Sequence, residues 1–329
     1  MPDGIAMPEP TGSLGGAGQR RPTFMRRLPL AAALVACIAM VTACAGISRQ
    51  ELQSLGSIIV LAKIDFAEVY DSAGRAKSAY SEESAIRAQY PQTTRVASPG
   101  KTDVTYFLEQ NDKTQVQYVS VRGTANDVNF QEDLDIAIRT DKKLDIPVHA
   151  GFDLAAHVIY DDMKPFLKPK YKTYLTGHSL GGAIAAILAI YMVEDGYQVQ
   201  KVTTFGQPRF TTAAGVERLS MLPILRVVDE NDVVPMVPPG TDIHPKYGTY
   251  EHVGPEVILL EGPRYVYLSR HDATRIAIGE LWRSMSFADL DDHHMDKYMS
   301  RLATKMEGTI QVSYNNRERY MARRGRQDD

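Results

Sequence analysis

The chain has 329 residues, 44% hydrophobic and 23% charged, with 24 Gly and 18 Pro, which excludes collagen-like, low-complexity and disulfide-rich small-domain classes. Its formal charge is −3, from 37 Lys and Arg against 40 Asp and Glu, so no basic excess points to a nucleic-acid partner. The length supports one large domain or two small ones around a sizeable core.

Both cysteines, Cys37 and Cys44, lie near the N-terminus, so the rest of the chain can form neither a disulfide nor a cysteine-ligated metal site. Residues 1–22 are rich in Gly and Pro, lack an apolar period and read as disordered. Met25-Arg26-Arg27 then leads into an apolar run from Leu28 to Ala45, interrupted only by Pro29 and Thr42. A basic stretch, an apolar core and small residues at its end form the pattern of a secretory signal. The run is marginal as a spanning helix, which needs roughly 20 apolar residues. Val41-Thr42-Ala43-Cys44 resembles the bacterial lipobox, which implies cleavage before Cys44, lipidation of its thiol and export to the bacterial cell envelope. The alternatives are an uncleaved signal anchor and an ordinary cut near Ala43-Cys44-Ala45. Arg20-Arg21 and Arg26-Arg27 fit a twin-arginine signal only loosely, and translation could begin at Met1, Met7 or Met25.

Beyond the signal, residues 48–90 read as helical, with Leu52, Leu55, Ile59, Ala62, Phe66 and Val69 at helical spacing. Pro91 to Gly100 reads as a break. An alternating strand runs over Val116–Val121, and a helix is expected near Gly151–Met163. Tyr171–Thr176 is a strand, Ala183–Val193 an apolar helix, Val199–Phe205 a strand, Ala213–Leu219 helical and Ile224–Val228 a strand. Glu256–Leu260 and Tyr265–Leu268 read as a hairpin turning at Glu261-Gly262-Pro263-Arg264, and an amphipathic helix carries Tyr298 and Leu302. Strands alternating with helices predict an α/β fold with a mostly parallel central sheet covered by helices on both faces. The expected organisation is a disordered preface and signal over 1–43, a helical extension over 44–100, one catalytic domain over 101–314 and a basic, irregular tail over 315–329.

The sharpest chemical signal is Gly177-His178-Ser179-Leu180-Gly181-Gly182, which fits G-x-S-x-G between a strand and a helix. There the glycines permit a tight turn that strains the serine and exposes its hydroxyl. Serine is a weak nucleophile until a base takes its proton, and the base needs a carboxylate to orient it. In this fold class the chain order is Ser, then acid, then His. Asp229, Glu230 and Asp232 all follow the strand Ile224–Val228, and composition does not separate them. His244, His252, His271, His293 and His294 are the histidines after Asp232, and the last two stand where the third member usually arrives. Asp292-His293-His294-Asp296 could suggest a metal, but no second ligand cluster accompanies it, so neither metal nor cofactor is expected. His178 and His149 read as structural.

Five ordered blocks make the chain similar to the class 3 lipase family of the α/β-hydrolase fold, from about Val104 to Leu302. They are Val121-Arg122-Gly123-Thr124, His149-Ala150-Gly151-Phe152, Thr176–Gly182, Phe205-Gly206-Gln207-Pro208-Arg209, and Asp229–Pro235 with Pro238-Pro239. The resemblance implies Ser179 as nucleophile and Asp232 as acid. It implies His293 as base through Asp292-His293-His294-Met295-Asp296-Lys297-Tyr298. It also implies an oxyanion hole built from the N–H groups of Thr124 and Leu180, with the Thr124 hydroxyl beside them.

The family's amphipathic lid corresponds here to Asn126–Leu134, in which Val128, Phe130 and Leu134 stand among Asp127, Glu132 and Asp133. So short and acidic a segment is a poor partner for an oil surface or an anionic bilayer. Esterase or phospholipase-like chemistry is therefore weighed beside triglyceride lipolysis. The expected function is a serine hydrolase of lipid or other acyl esters, held at a membrane through Cys44, with no obligate protein partner. A non-catalytic envelope lipoprotein on the same fold, and an acyltransferase or thioesterase using the same three residues, are the competing readings.

Overall fold

The computed structural model describes residues 63–100, 102–123, 137–238, 243–244, 248–273 and 291–321. Cys37, Cys44, Thr124 and the acidic segment 126–134 lie outside the described residues, as does the first part of the expected helix over 48–90. Among the described residues no helix is long and apolar enough to cross a membrane.

Helices α1 (Phe66–Ser78) and α2 (Glu83–Gln89) come first, followed by strands β1 (Thr93–Ala97), β2 (Tyr106–Asn111), β3 (Val116–Val121), β4 (Ile138–Asp141) and β5 (Ile146–His149). Next are helix α3 (Ala150–Met163), strand β6 (Lys172–His178), helix α4 (Leu180–Glu194), strand β7 (Gln198–Phe205), strand β8 (Thr211–Thr212), helix α5 (Ala213–Arg218) and strand β9 (Ile224–Asp229). Strands β10 (Ile243–His244), β11 (Gly248–Glu251), β12 (Glu256–Leu259) and β13 (Arg264–Leu268), helix α6 (Met295–Met306) and strand β14 (Ile310–Gln311) complete the order.

The main sheet runs β1-β2-β3-β6-β7-β9-β12-β13-β14, and its centre, from β3 to β12, is parallel. Parallel neighbours need crossovers, and the sequence supplies one after each strand. Helix α4 carries apolar residues on every side and no charge before its last residue, so it can sit only inside. Each residue from Leu180 to Met192 is buried. Its leucines and isoleucines pack with α3 and with Val119, Val121, Leu175 and Val202 of the sheet in one core. The opposite face buries Phe66, Val69, Ala73 and Ala76 of α1 and Tyr298 and Leu302 of α6 against Phe205, Leu225, Val227, Val257 and Leu259. Cutting a core leucine or isoleucine of α4 to alanine costs about 2–5 kcal/mol in such a setting. A smaller antiparallel sheet, β10-β11-β8-β5-β4, stands apart from this centre.

Strand register decides where the motif blocks meet. Val121 of β3 pairs with Gly177 of β6, His178 of β6 with Phe205 of β7, and Phe205 with Val227 of β9. The carboxyl ends of these strands are therefore level. The loops beginning at Arg122, Ser179, Gly206 and Glu230 emerge side by side along one sheet edge, where sites in open parallel sheets gather.

Three sequence expectations differ from the structure. The helical reading over 48–90 breaks at residues 79–82: α1 ends at Ser78 with Ala79 as its cap, and Glu82, in extended geometry, caps the start of α2. The expected break at Pro91–Gly100 contains β1, which pairs antiparallel with β2. As an edge strand β1 needs little apolar alternation, and Arg95 ties it to Asp162 at 2.5 Å. Because β1 belongs to the main sheet and α1 lies on its face, residue 100 marks no division of the fold. Finally, the tail expected to be irregular from Asn315 forms a helical turn over Tyr314–Tyr320, with Tyr314 and Tyr320 packed near Ile258, Leu260 and Val266.

Candidate active site

Ser179 follows β6 and caps α4 with φ 57° and ψ −133°, a conformation costly for any residue with a side chain. Its two flanking glycines make the turn possible. A Cβ on Gly177 would fall 2.2 Å from the Gly181 carbonyl oxygen, and one on Gly181 would fall 2.4 Å from that of Val121. The Ser179 N–H donates to the Phe205 carbonyl at 2.8 Å, tying the turn to the end of β7. The next residue, Gly206, lies against Asp232 and His293: a methyl placed on it would come 2.7 Å from Asp232 Oδ2 and 2.8 Å from His293 Nδ1. Ser179, Asp232 and His293, 3%, 4% and 7% exposed, are thus gathered around one shoulder of backbone.

Asp232 sits in the loop after β9 with both carboxylate oxygens engaged. Oδ1 accepts the Val234 N–H at 2.9 Å. Oδ2 accepts from His293 Nδ1 at 2.8 Å and from the Tyr298 hydroxyl at 2.5 Å. With Nδ1–H given to the carboxylate, the basic lone pair of neutral His293 lies on Nε2, the atom that can take a proton from a serine hydroxyl. Burial first, and the Asp232 charge second, push the Tyr298 phenol well above its ordinary pKa, so Tyr298 stays a donor.

The neighbouring carboxylates are differently employed. Glu230 is paired with Arg301 of α6 at 2.5 Å, and Asp229 lies 3.5 Å from the same guanidinium. Burial outweighs that cation and pushes Asp229 up to about 7. The other histidines separate as clearly. His294 is exposed. His271 is 72% exposed beside Asp272. Buried His252 donates Nε2–H to the Pro235 carbonyl at 2.7 Å. The His244 side chain lies outside the described residues. His149 accepts the Phe152 N–H at the start of α3, a cap remote from the serine turn in its bonding.

Of the two oxyanion donors implied by the sequence, Thr124 lies outside the described residues. Leu180 is the first residue of α4, so its N–H has no intrahelical acceptor and stands at the positive end of the helix. Gly123, which precedes Thr124, is adjacent to the serine: a methyl on Gly123 would lie 3.0 Å from Ser179 Cβ.

Among the described residues, two groups of ligand-type side chains can be compared. In the first, Asp296 pairs with Lys77 at 2.6 Å and His293 with Asp232 at 2.8 Å. In the second, Asp141, Asp153 and His157 bring their ligand atoms within 4.8 Å of one another. The Tyr191 hydroxyl lies 2.6 Å from Asp141 Oδ2 and 2.8 Å from Asp153 Oδ1, His157 Nε2 lies 2.7 Å from Asp141 Oδ2, and the Arg139 guanidinium donates to Asp153. That arrangement spends the carboxylates on protein donors. Tyr298, Tyr80 and Arg301 are the site-forming residues that sequence reasoning did not assign. Tyr298 stands at helical spacing from Leu302 and reads as core; only the loop carrying Asp232 reveals what its hydroxyl is for.

Residues 118–241 match the family model described as lipase (class 3). The chain is 30% identical over 179 residues to secreted mono- and diacylglycerol lipase 1 of Fusarium solani, covering 50% of each protein. It is 31% identical over 154 residues to a lipase of Rhizomucor miehei, covering 42% of each. The chain therefore spans half or less of the length of these curated relatives. Its fold superposes on a lipase from Rhizopus microsporus var. chinensis with a TM-score of 0.59 at 23% identity, over 71% of this chain and 88% of that one. The architecture is that of the α/β-hydrolases.

Proposed function

We propose that this chain, whose residues 118–241 match the class 3 lipase family model, is a serine hydrolase of carboxylic esters. One observation carries the reading: a strained serine between strand and helix shares its backbone shoulder with a buried Asp232–His293 pair at 2.8 Å. In this mechanism His293 Nε2 takes the Ser179 proton as Oγ attacks the ester carbonyl, and Asp232 balances the imidazolium. The oxyanion is received by the N–H groups of Leu180 and Thr124 and by the Thr124 hydroxyl; loss of one such donor costs roughly 3–4 kcal/mol of transition-state stabilisation. The imidazolium then protonates the leaving alcohol. Water hydrolyses the acyl-enzyme, giving its proton to His293, which returns it to Ser179.

Acyl esters of lipids are the favoured substrates, in keeping with the Fusarium relative described as a mono- and diacylglycerol lipase. The acidic stretch over 126–134 favours dispersed esters over an oil surface. Lipidation of Cys44 at the bacterial cell envelope would hold the enzyme near such substrates. The lipobox-like Val41-Thr42-Ala43-Cys44 supports that placement.

Purified protein is treated with a fluorophosphonate probe and with p-nitrophenyl esters of increasing chain length. Labelling and turnover that vanish in Ser179→Ala are expected, with the best rates on short and medium chains. Absence of both in the parent overturns the reading. For the anchor, Cys44→Ser is expected to leave the detergent phase in a partitioning assay; unchanged partitioning removes it.

A further inference from the structure

Tyr80 lies in the short break between α1 and α2, outside every motif singled out in the sequence. Its hydroxyl is 2.8 Å from His178 Nδ1 and 3.1 Å from the backbone nitrogen of Gly123. The other ring nitrogen of His178, Nε2, is 2.6 Å from the carbonyl oxygen of His293. These contacts fix the protons. A carbonyl oxygen can only accept, so His178 carries its proton on Nε2. Burial, reinforced by neighbouring His293, holds His178 far below its ordinary pKa, so the ring is neutral and Nδ1 is an acceptor. Tyr80 therefore donates its hydroxyl proton to Nδ1, and its oxygen accepts the Gly123 N–H.

One unbroken chain of hydrogen bonds results. It starts at Gly123, whose neighbour Thr124 is the expected oxyanion donor, and passes through Tyr80 and His178 to the peptide that carries His293. The His178 and His293 rings are also in contact, with centroids 4.4 Å apart. We infer that Tyr80 is a positioning residue of the hydrolytic site, setting the oxyanion loop and the base against each other through His178. The inference rests on the ester-hydrolase reading above and adds to it a residue from the N-terminal helical segment. A donor displaced by a fraction of an ångström loses its value chiefly for the charge that develops in the transition state, so the effect belongs in kcat rather than KM.

Tyr80→Phe keeps the ring and deletes the hydroxyl. With a soluble p-nitrophenyl ester, and with enzyme counted by fluorophosphonate end-point titration, kcat per labelled serine is expected to fall about 10- to 100-fold. KM is expected to stay within about twofold of the parent. Tyr80→Ala, which also removes the ring, is expected to lose little more kcat than Tyr80→Phe. A parent that turns over ester while Tyr80→Phe keeps kcat within twofold, or loses rate only through KM, overturns the assignment alone. So does a loss that appears only with Tyr80→Ala, which would mark a packing role. A parent without Ser179-dependent turnover defeats the hydrolase reading, and the assignment with it.

Discussion

Tyr298 and His293 donate to the same oxygen of Asp232, at 2.5 and 2.8 Å, while the Val234 N–H holds the other oxygen at 2.9 Å. The carboxylate cannot turn without breaking one of the three. Tyr298 comes from the first turn of α6 and His293 from the turn before it, so one short segment delivers both donors. A hydrogen bond to a charged group is worth roughly 1.5–3 kcal/mol, and Tyr298→Phe removes it while leaving the edge contact with Phe205. The expected outcome is a fall in kcat/KM of about 10-fold or more with little change in fold, read by ester turnover beside circular dichroism.

Gly206 is the residue around which the site closes, at φ +56° and with Asp232 Oδ2 2.7 Å from any added Cβ. Gly206→Ala must strain the backbone and drive apart the Asp232–His293 pair together. A stability loss of about 1–3 kcal/mol is expected from overpacking and strain. Activity should fall by at least about 100-fold, as for a misplaced catalytic group. Urea titration and turnover measured on the same preparation check both.

Asp229 gives a pH signature of the opposite sign from a paired carboxylate. Burial raises it to about 7 from the usual 3.8, so between those values the folded state keeps a proton that the unfolded chain has released. Stability from this group is full below about pH 4 and is lost as pH rises through 7. Asp229→Asn abolishes that slope. Its stability relative to the parent is expected to increase from pH 5 to pH 8, by at most about 3 kcal/mol, in thermal or urea unfolding across that range.

Arg75 ties α1 to the sheet: its guanidinium meets Glu109 of β2 at 2.7 Å and lies 4.0 Å from the Tyr118 ring centroid. Both side chains of the ion pair are nearly closed to solvent, so removing one leaves a buried charge alone, at a cost of about 3–5 kcal/mol. Arg75→Ala is expected to lower the urea midpoint strongly. Because Tyr80 follows in the same segment, turnover should become sensitive to denaturant below the global transition.

Much of the chemistry was legible in the sequence because it is local. Gly177 and Gly181 are required by a turn a few residues long, and the all-apolar α4 can only be buried. The Ser, acid, His order then narrowed the partners to three carboxylates and five histidines, and family likeness named Asp232 and His293. Local pattern could not show which candidates touch. Asp229 and Asp232 are the same residue type three positions apart, yet one turns toward Arg301 and the other toward His293. Tyr80 carried no signal at all, since a tyrosine after a helix has countless uses. Strand β1 was missed because an edge strand, held by Arg95 and Asp162, needs no apolar alternation.

The sequence by itself determined the fold class and the strained serine, because each follows from nearest-neighbour sterics or from apolar periodicity. The tertiary structure alone decided the pairing of Asp232 with His293 and Tyr298, and the bonds that join Tyr80, His178 and Gly123. Those contacts span 61 residues from Asp232 to His293 and 98 from Tyr80 to His178. Over such separations a side chain's partner is set by strand register and by the helices that cover the sheet, and no local preference of the chain encodes it.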